Sequence, residues 1–220
     1  VRPIFTGIAR AFNHNGGRLA FGPDGRLYAS TGDATVSSRS QSLASPNGKI
    51  LRMTASGGIA PGNPFRRSRV WTYGHRNVQG LAFDNEGRLW ASEFGQNRWD
   101  ELNLITEGAD YGWPDVEGSG NVRGMTNPKV VWHTDEASPS GLAYWQNSLW
   151  MAGLRGQRLW EIPVAGTKTG DPIAHFRGDY GRLRTVQVAA DGGSLLLTNS
   201  NTDGRGDPAS DDDRLFQITR

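Results

Sequence analysis

One apolar hairpin recurs along the chain, and this internal repeat constrains the fold more tightly than any other feature. The first copy, at 18–30, reads Arg-Leu-Ala-Phe-Gly-Pro-Asp-Gly-Arg-Leu-Tyr-Ala-Ser, and the second, at 80–92, reads Gly-Leu-Ala-Phe-Asp-Asn-Glu-Gly-Arg-Leu-Trp-Ala-Ser. A third copy occupies 141–152 and a weaker fourth 185–197. Each is a short apolar strand that runs into Asp-Gly or a near equivalent, followed by a second apolar strand. Asp-Gly tolerates the positive φ angles of tight hairpin turns. Leu19, Leu81, Leu142 and Val186 open the copies, at intervals of roughly 60 and then roughly 45 residues. Further strand pairs follow the hairpins, for example at 48–53 and 157–162. Four short strands per unit make a propeller blade. No segment sustains apolar i, i+3, i+4 spacing, so almost no helix is expected. A β-sandwich with two coincidentally similar hairpins is the alternative, and the first two copies match too closely for it. The expected fold is all-β, a single propeller domain over 1–220 with about four blades. These form either a small complete ring or part of a larger one. Val1-Arg2-Pro3 reads as the middle of a strand, which favours the larger ring.

The 30 glycines, with 8 Trp, 8 Phe and 5 Tyr, suit many short strands joined by tight turns and do not suit disorder. A formal net charge of +2 gives no electrostatic case for nucleic acid. With no cysteine there is no disulfide framework, thiolate metal site or cysteine nucleophile. No apolar run approaches the roughly 20 residues of a membrane helix.

Five segments carry more polar side chains than blade packing needs. In 12–18, His14 precedes the first hairpin, near the expected axis; a loop histidine bonded to a backbone carbonyl is the plainer reading. In 73–81, Arg76 and Asn77 hold the equivalent place, where Arg offers a fixed fork of donors for carboxylates or an inter-blade tie. The segments 92–104 and 108–114 combine carboxylates with glycine-supported carbonyls, an oxygen-rich set that suits Ca²⁺ without EF-hand spacing. The fourth is 136–141 with Arg155 and Gly156 after the following strand. In the fifth, Arg182 and Arg184 share a strand face and repel each other unless an anion joins them. No acidic neighbour is evident for that pair. His14, Arg76, Arg155, Arg182 and Arg184 together imply a cationic axial pocket for a small, multiply anionic ligand.

Several ordered motifs resemble the glucose/sorbosone dehydrogenase family, which includes soluble aldose sugar dehydrogenases. They are His14-Asn15-Gly16-Gly17-Arg18, Gly74-His75-Arg76-Asn77-Val78-Gln79-Gly80, Asp100-Glu101-Leu102-Asn103, Tyr111-Gly112-Trp113-Pro114, Pro139-Ser140-Gly141 and Gly181-Arg182-Leu183-Arg184. The resemblance implies a six-bladed propeller that holds pyrroloquinoline quinone (PQQ), a tricarboxylate, over its axis, with Ca²⁺ polarising the quinone. It implies oxidation of an aldose at the anomeric carbon, with His14 as general base and Arg76 beside the reacting oxygens. It further implies cofactor contacts from Asn77, Arg155, Gly156, Arg182, Leu183 and Arg184. The carbonyls of Gly95 and Gln96 would hold the catalytic Ca²⁺, and Glu101 with the Tyr111 carbonyl a structural one. Gln96 stands where many relatives have Pro, a change that a carbonyl ligand survives. A periplasmic or extracellular location and an electron acceptor of unspecified identity are implied as well. The competing functions are a cofactor-free binding module and a Ca²⁺-only propeller hydrolase. The arginine-rich pocket disfavours the hydrolase.

Overall fold

The computed structural model describes residues 1–219. Sixteen strands form four antiparallel sheets, and the only helical element among the described residues is a 3-10 turn at Ser37–Arg39. The first sheet contains β1 (Gly16–Phe21), β2 (Leu27–Thr31), β3 (Lys49–Met53) and β4 (Val70–Thr72) in that order. The second repeats the meander with β5 (Val78–Phe83), β6 (Leu89–Glu93), β7 (Trp99–Ile105) and β8 (Val130–His133). In the third, β9 (Pro139–Trp145), β10 (Ser148–Gly153) and β11 (Arg158–Ala165) are flanked by β12 (Lys168–Thr169) and β13 (Ile173–His175), both paired to β11. The fourth has β14 (Leu183–Val188), β15 (Leu195–Asn199) and β16 (Leu215–Ile218).

Each repeated hairpin supplies the first two strands of a sheet. The turns take the positive φ that the sequence anticipates: Gly25 at +69°, Gly87 at +77° and Gly192 at +72°. The third hairpin manages without glycine, with Gln146 at +50° and Asn147 at +63°. The four first strands pack side by side in chain order, β1 on β5, β5 on β9 and β9 on β14. All four line one channel of about 360 Å³, which places them around a common axis.

The second strands β2, β6 and β10 are buried along their whole length; sheets cover both faces of β6 and β10, whereas Phe5, Phe65 and Tyr73 cover the outer face of the first sheet. Tyr28 and Ile50 meet Leu81 and Leu89 between the first and second sheets. Trp90 and Leu102 meet Met151 and Ile162 between the second and third, and Trp150 and Leu159 meet Leu183 and Leu197 between the third and fourth. Each such side chain, fully buried, contributes about 1.5–3 kcal/mol. The serine that ends the hairpin motif also stitches sheets together. Ser30 Oγ donates to the Val78 carbonyl at 3.0 Å and Ser92 Oγ to the Ser140 carbonyl at 2.8 Å, each the first strand of the next sheet.

The segment 1–15 contains no strand, contrary to the reading of Val1-Arg2-Pro3. A side chain takes the place of a strand partner there: Asn47 accepts from the Ala9 N–H and donates to its carbonyl, both at 2.9 Å. Lys49 is completely buried, and its ammonium donates to the carbonyls of Arg39, Ser40 and Asn47, each at 2.8 Å.

Candidate functional site

A cleft of about 760 Å³ opens at the end of the array where the loops preceding the first strands converge. It collects His14, Arg76, Asn77, Gly95, Gln96, Arg155, Arg182 and Arg184 from all four sheets. Eight of the expected site residues therefore share one surface.

His14 lies in the loop before β1 with φ +56°, a left-handed conformation that turns the chain into the strand. The loop after β2 fixes it. The His14 carbonyl accepts from the Ala34 N–H at 2.9 Å, and a Cβ on Gly32 would come within 1.9 Å of that oxygen. Only glycine permits this approach. Asp33, 1% exposed, follows Gly32, and its Oδ1 meets His14 Nδ1 at 3.0 Å. On the other side of the imidazole, Arg76 Nη2 lies 2.8 Å from Nε2. A guanidinium can only donate, so Nε2 carries the lone pair and Nδ1 the proton that Asp33 accepts. The Trp113 indole N–H donates to Asp33 Oδ2 at 3.0 Å and the Thr35 N–H to Oδ1 at 2.8 Å. Burial opposes ionisation of Asp33, but the donors from His14, Trp113 and Thr35 outweigh it and hold the carboxyl below its ordinary range.

Arg76 is buried and gripped throughout. Its backbone N–H and that of Asn77 both donate to Glu93 Oε1, whose partner oxygen lies 2.8 Å from His75 Nδ1. Its Nε and Nη2 both donate to the Gln96 side-chain oxygen, at 2.9 and 2.6 Å. Asn77 Oδ1 accepts from the Gly16 N–H at 3.0 Å, tying the second sheet to the start of β1. The inter-sheet tie and the axial placement are thus both realised in one pair of residues.

The loop 95–99 is organised by carboxylates. Asp100 Oδ1 accepts the Gly95 N–H at 2.9 Å, and Glu117 Oε1 accepts four successive N–H groups, from Gln96 to Trp99, at 2.7–3.1 Å. Burial pushes Asp100 up to about 6 despite its Gly95 and Ser138 donors. Neither the Gly95 nor the Gln96 carbonyl accepts a hydrogen bond among the described residues. Two free carbonyls on a loop held through its N–H groups are a fit for a hard cation.

Glu101 and Tyr111 lie apart from the cleft and line a small cavity of about 10 Å³ together with Glu93. That is space for one ion or water. Burial, with Glu93 nearby, drives Glu101 well above the usual carboxylate range, and a cation there would relieve the repulsion. The Tyr111 hydroxyl is already engaged, donating to the Leu104 carbonyl at 2.6 Å and accepting the Thr106 N–H at 2.9 Å, so the phenol is not available as a ligand. Among the described residues no three His, Asp or Glu side chains converge as a metal site, so any ion would draw on backbone carbonyls.

Arg155 is exposed and makes no ion pair among the described residues, Gly156 is buried, and the Leu183 side chain lies wholly in the core. Only the backbone of Leu183 could reach a ligand. Arg182 and Arg184 do share a face, but they have an acidic neighbour: Asp203, on the loop after β15. Burial depresses the Arg184 guanidinium; Asp203 opposes this, while Arg182 and Arg205 add to it. Asp33, Glu117 and Asp203 are the site residues that the sequence does not single out. The one hint for Asp33 is its place at the end of a buried hairpin strand, directly after a glycine.

A profile of the family described as Glucose / Sorbosone dehydrogenase matches residues 2–207. Aldose sugar dehydrogenase YliI of Escherichia coli (strain K12) is 31% identical over 218 residues, which cover 86% of this chain and 58% of that protein. Quinoprotein glucose dehydrogenase B of Acinetobacter calcoaceticus is 37% identical over 137 residues, 52% of this chain and 29% of that protein. The PQQ-bound aldose sugar dehydrogenase structure from Streptomyces coelicolor is 57% identical with a TM-score of 0.96, over 98% of this chain and 65% of that one. The chain spans little more than half the length of two of the curated relatives it matches, 54% and 58%.

Proposed function

Because the chain belongs to the glucose/sorbosone dehydrogenase family, we propose that it carries the catalytic face of a PQQ- and Ca²⁺-dependent enzyme that oxidises aldoses at the anomeric carbon. The observation that carries this reading is the Asp33–His14–Arg76 chain at the edge of an arginine-lined cleft. No helix is long and apolar enough to cross a membrane, and a periplasmic or extracellular site of action belongs to the same proposal. So does a single propeller domain of the six-bladed type, to which the four sheets contribute.

Once the substrate hydroxyl replaces the Arg76 contact at His14 Nε2, that nitrogen takes the proton of the anomeric hydroxyl as the C–H bond breaks. Asp33 keeps the Nδ1 proton in place and offsets the charge that the ring gains. Arg76 supplies N–H donors and a fixed positive charge at the same end of the cleft, held in aim by Gln96 and Phe94. Arg155, Arg182 and Arg184 would hold carboxylates of the cofactor, Asn77 and Gly156 would add contacts along it, and Leu183 would contribute through its backbone. The Gly95 and Gln96 carbonyls would hold the catalytic Ca²⁺, and Glu101 with the Tyr111 carbonyl the structural one. When bound, PQQ supplies a hydride acceptor and Ca²⁺ the Lewis acidity that makes it one. The two electrons then pass to an external acceptor.

The test is titration of the Ca²⁺-loaded chain with PQQ, followed by absorbance, and then addition of an aldose panel with an artificial electron acceptor. Saturable binding and sugar-dependent turnover are expected. His14→Ala should bind PQQ as the parent does and lose turnover by about 10²–10⁴-fold, the usual worth of a general base. No PQQ binding by the folded chain would refute the proposal and leave a binding module as the better account.

A further inference from the structure

The basic corner of the cleft already carries an anion of the protein's own. Asp203 Oδ2 lies 3.1 Å from Arg182 Nη2 and 3.5 Å from Arg184 Nη2. The pairing is incomplete. Arg182 is 8% exposed, and its Nε is buried without a hydrogen-bond partner among the described residues. Nε and Nη2 form one edge of the guanidinium, spaced to meet both oxygens of a carboxylate. Asp203 does not fill that edge; its Oδ1 accepts the Arg205 N–H at 3.0 Å instead. The loop keeps it there. Asp213 Oδ1 accepts the Thr202 N–H at 3.2 Å, and its Oδ2 accepts from the Thr202 hydroxyl at 2.8 Å. Gly206 closes over Arg182 so tightly that a Cβ would come within 2.9 Å of its Cδ. Gly204, by contrast, turns at φ +79° with open space beside it. The corner is left with three cations, Arg182, Arg184 and Arg205, against one carboxylate.

We infer that Asp203 is an internal competitor that sets the affinity threshold of this corner: a carboxylate seated on the Arg182/Arg184 pair, which a ligand must displace with a carboxylate of its own. A tethered group competes at an effective concentration in about the millimolar range or higher. Displacing it costs every ligand the same factor, which leaves a single carboxylate with little net affinity. A ligand with several adds contacts to Arg155 or Arg76 across the cleft and binds in spite of that cost. At ordinary concentrations the clamp therefore holds polycarboxylates and leaves single anions unbound. This rests on the proposed function only in taking the pair as part of the cofactor's site.

The experiment compares the parent chain with Asp203→Asn, which keeps an oxygen for the Arg205 N–H, and with Asp203→Ser as a smaller neutral variant. Circular dichroism melts check folding. Calorimetry measures binding of benzoate and of benzene-1,3,5-tricarboxylate, with PQQ titrated in parallel. In the variants benzoate should bind about tenfold tighter, the worth of one charge-assisted contact. The tricarboxylate displaces the same group and should gain by a similar factor. No gain for either probe, a loss of affinity, or no binding of either probe by any folded chain overturns the inference. A loss would identify Asp203 as a prop that positions the arginines. If PQQ fails to bind a chain whose probe affinities respond as expected, the cofactor reading falls and the role of Asp203 stands.

Discussion

Asp33→Asn removes one charge from the site while keeping its shape, and the structure sets how much should be lost. The carboxylate accepts from His14 Nδ1, Thr35 N–H and the Trp113 indole, and it is almost completely buried. An asparagine can keep one oxygen toward His14 and Thr35, but its amide nitrogen then faces the Trp113 N–H, donor against donor. One buried unmatched donor pair and two weakened charge-assisted bonds cost about 2–4 kcal/mol of stability at neutral pH. The loss should depend on pH. The folded-state value of Asp33 is depressed, so its stabilisation is complete above the unfolded value of about 3.9 and fades as pH falls through the folded value. Urea titrations should therefore show the full deficit at neutral pH and a shrinking one as acidity rises below about pH 4. For turnover, a unit charge about 4 Å from the ring is worth about 4 kcal/mol at an effective dielectric of about 20. The positive charge of Arg76 is the same in parent and variant and cancels from the difference, so about 4 kcal/mol, or about 10³-fold in kcat, should be lost. Turnover within threefold of the parent, or a stability deficit that does not change between neutral and strongly acidic pH, would refute this account of Asp33.

Gly32→Ala sets a Cβ against the His14 carbonyl and should cost about 1–3 kcal/mol in thermal melts, with turnover falling more than PQQ affinity because His14 is displaced. Removing Ca²⁺ with a chelator should lower the melting temperature, since saturation at about a hundredfold over Kd adds about 2.7 kcal/mol. Glu101→Gln should erase much of that calcium-dependent increment, as read by differential scanning calorimetry with and without chelator.

The hairpins were legible because everything that defines them is local. Leu81-Ala82-Phe83 and the glycine at 87 carry strand and turn chemistry within a few residues of each other. The cationic cleft was legible too, because arginines at equivalent points of a repeat must share an end of the array. The acids that complete the site were not. Asp33 meets Trp113 across 80 positions, and Glu117 reaches back about twenty positions to cap the loop at 96–99. Such contacts are set by the way sheets stack, to which a local pattern is blind. The same blindness left Arg182 and Arg184 without Asp203, and Gln96 as a carbonyl alone, although its side chain grips Arg76. Leu183 shows what strand alternation adds. It sits between two arginines of the clamp, yet alternation along β14 sends its side chain into the core.

Lys49 has a consequence for how the molecule copes with its surroundings. Its ammonium gathers the carbonyls of Arg39, Ser40 and Asn47 much as a bound ion gathers ligands. This ion is covalently attached. It cannot be chelated, diluted away or exchanged for a competitor, so the 39–47 loop keeps its shape in any salt. That loop bears directly on the site, because Ser40 also receives the Gly74 N–H and donates to the His75 carbonyl, one residue before Arg76. The arginine beside the proposed base is thus anchored from one side by a cation that salt and chelators cannot remove, but burial pushes Lys49 down to about 7, so the charge that gathers this loop is lost as pH rises through neutrality.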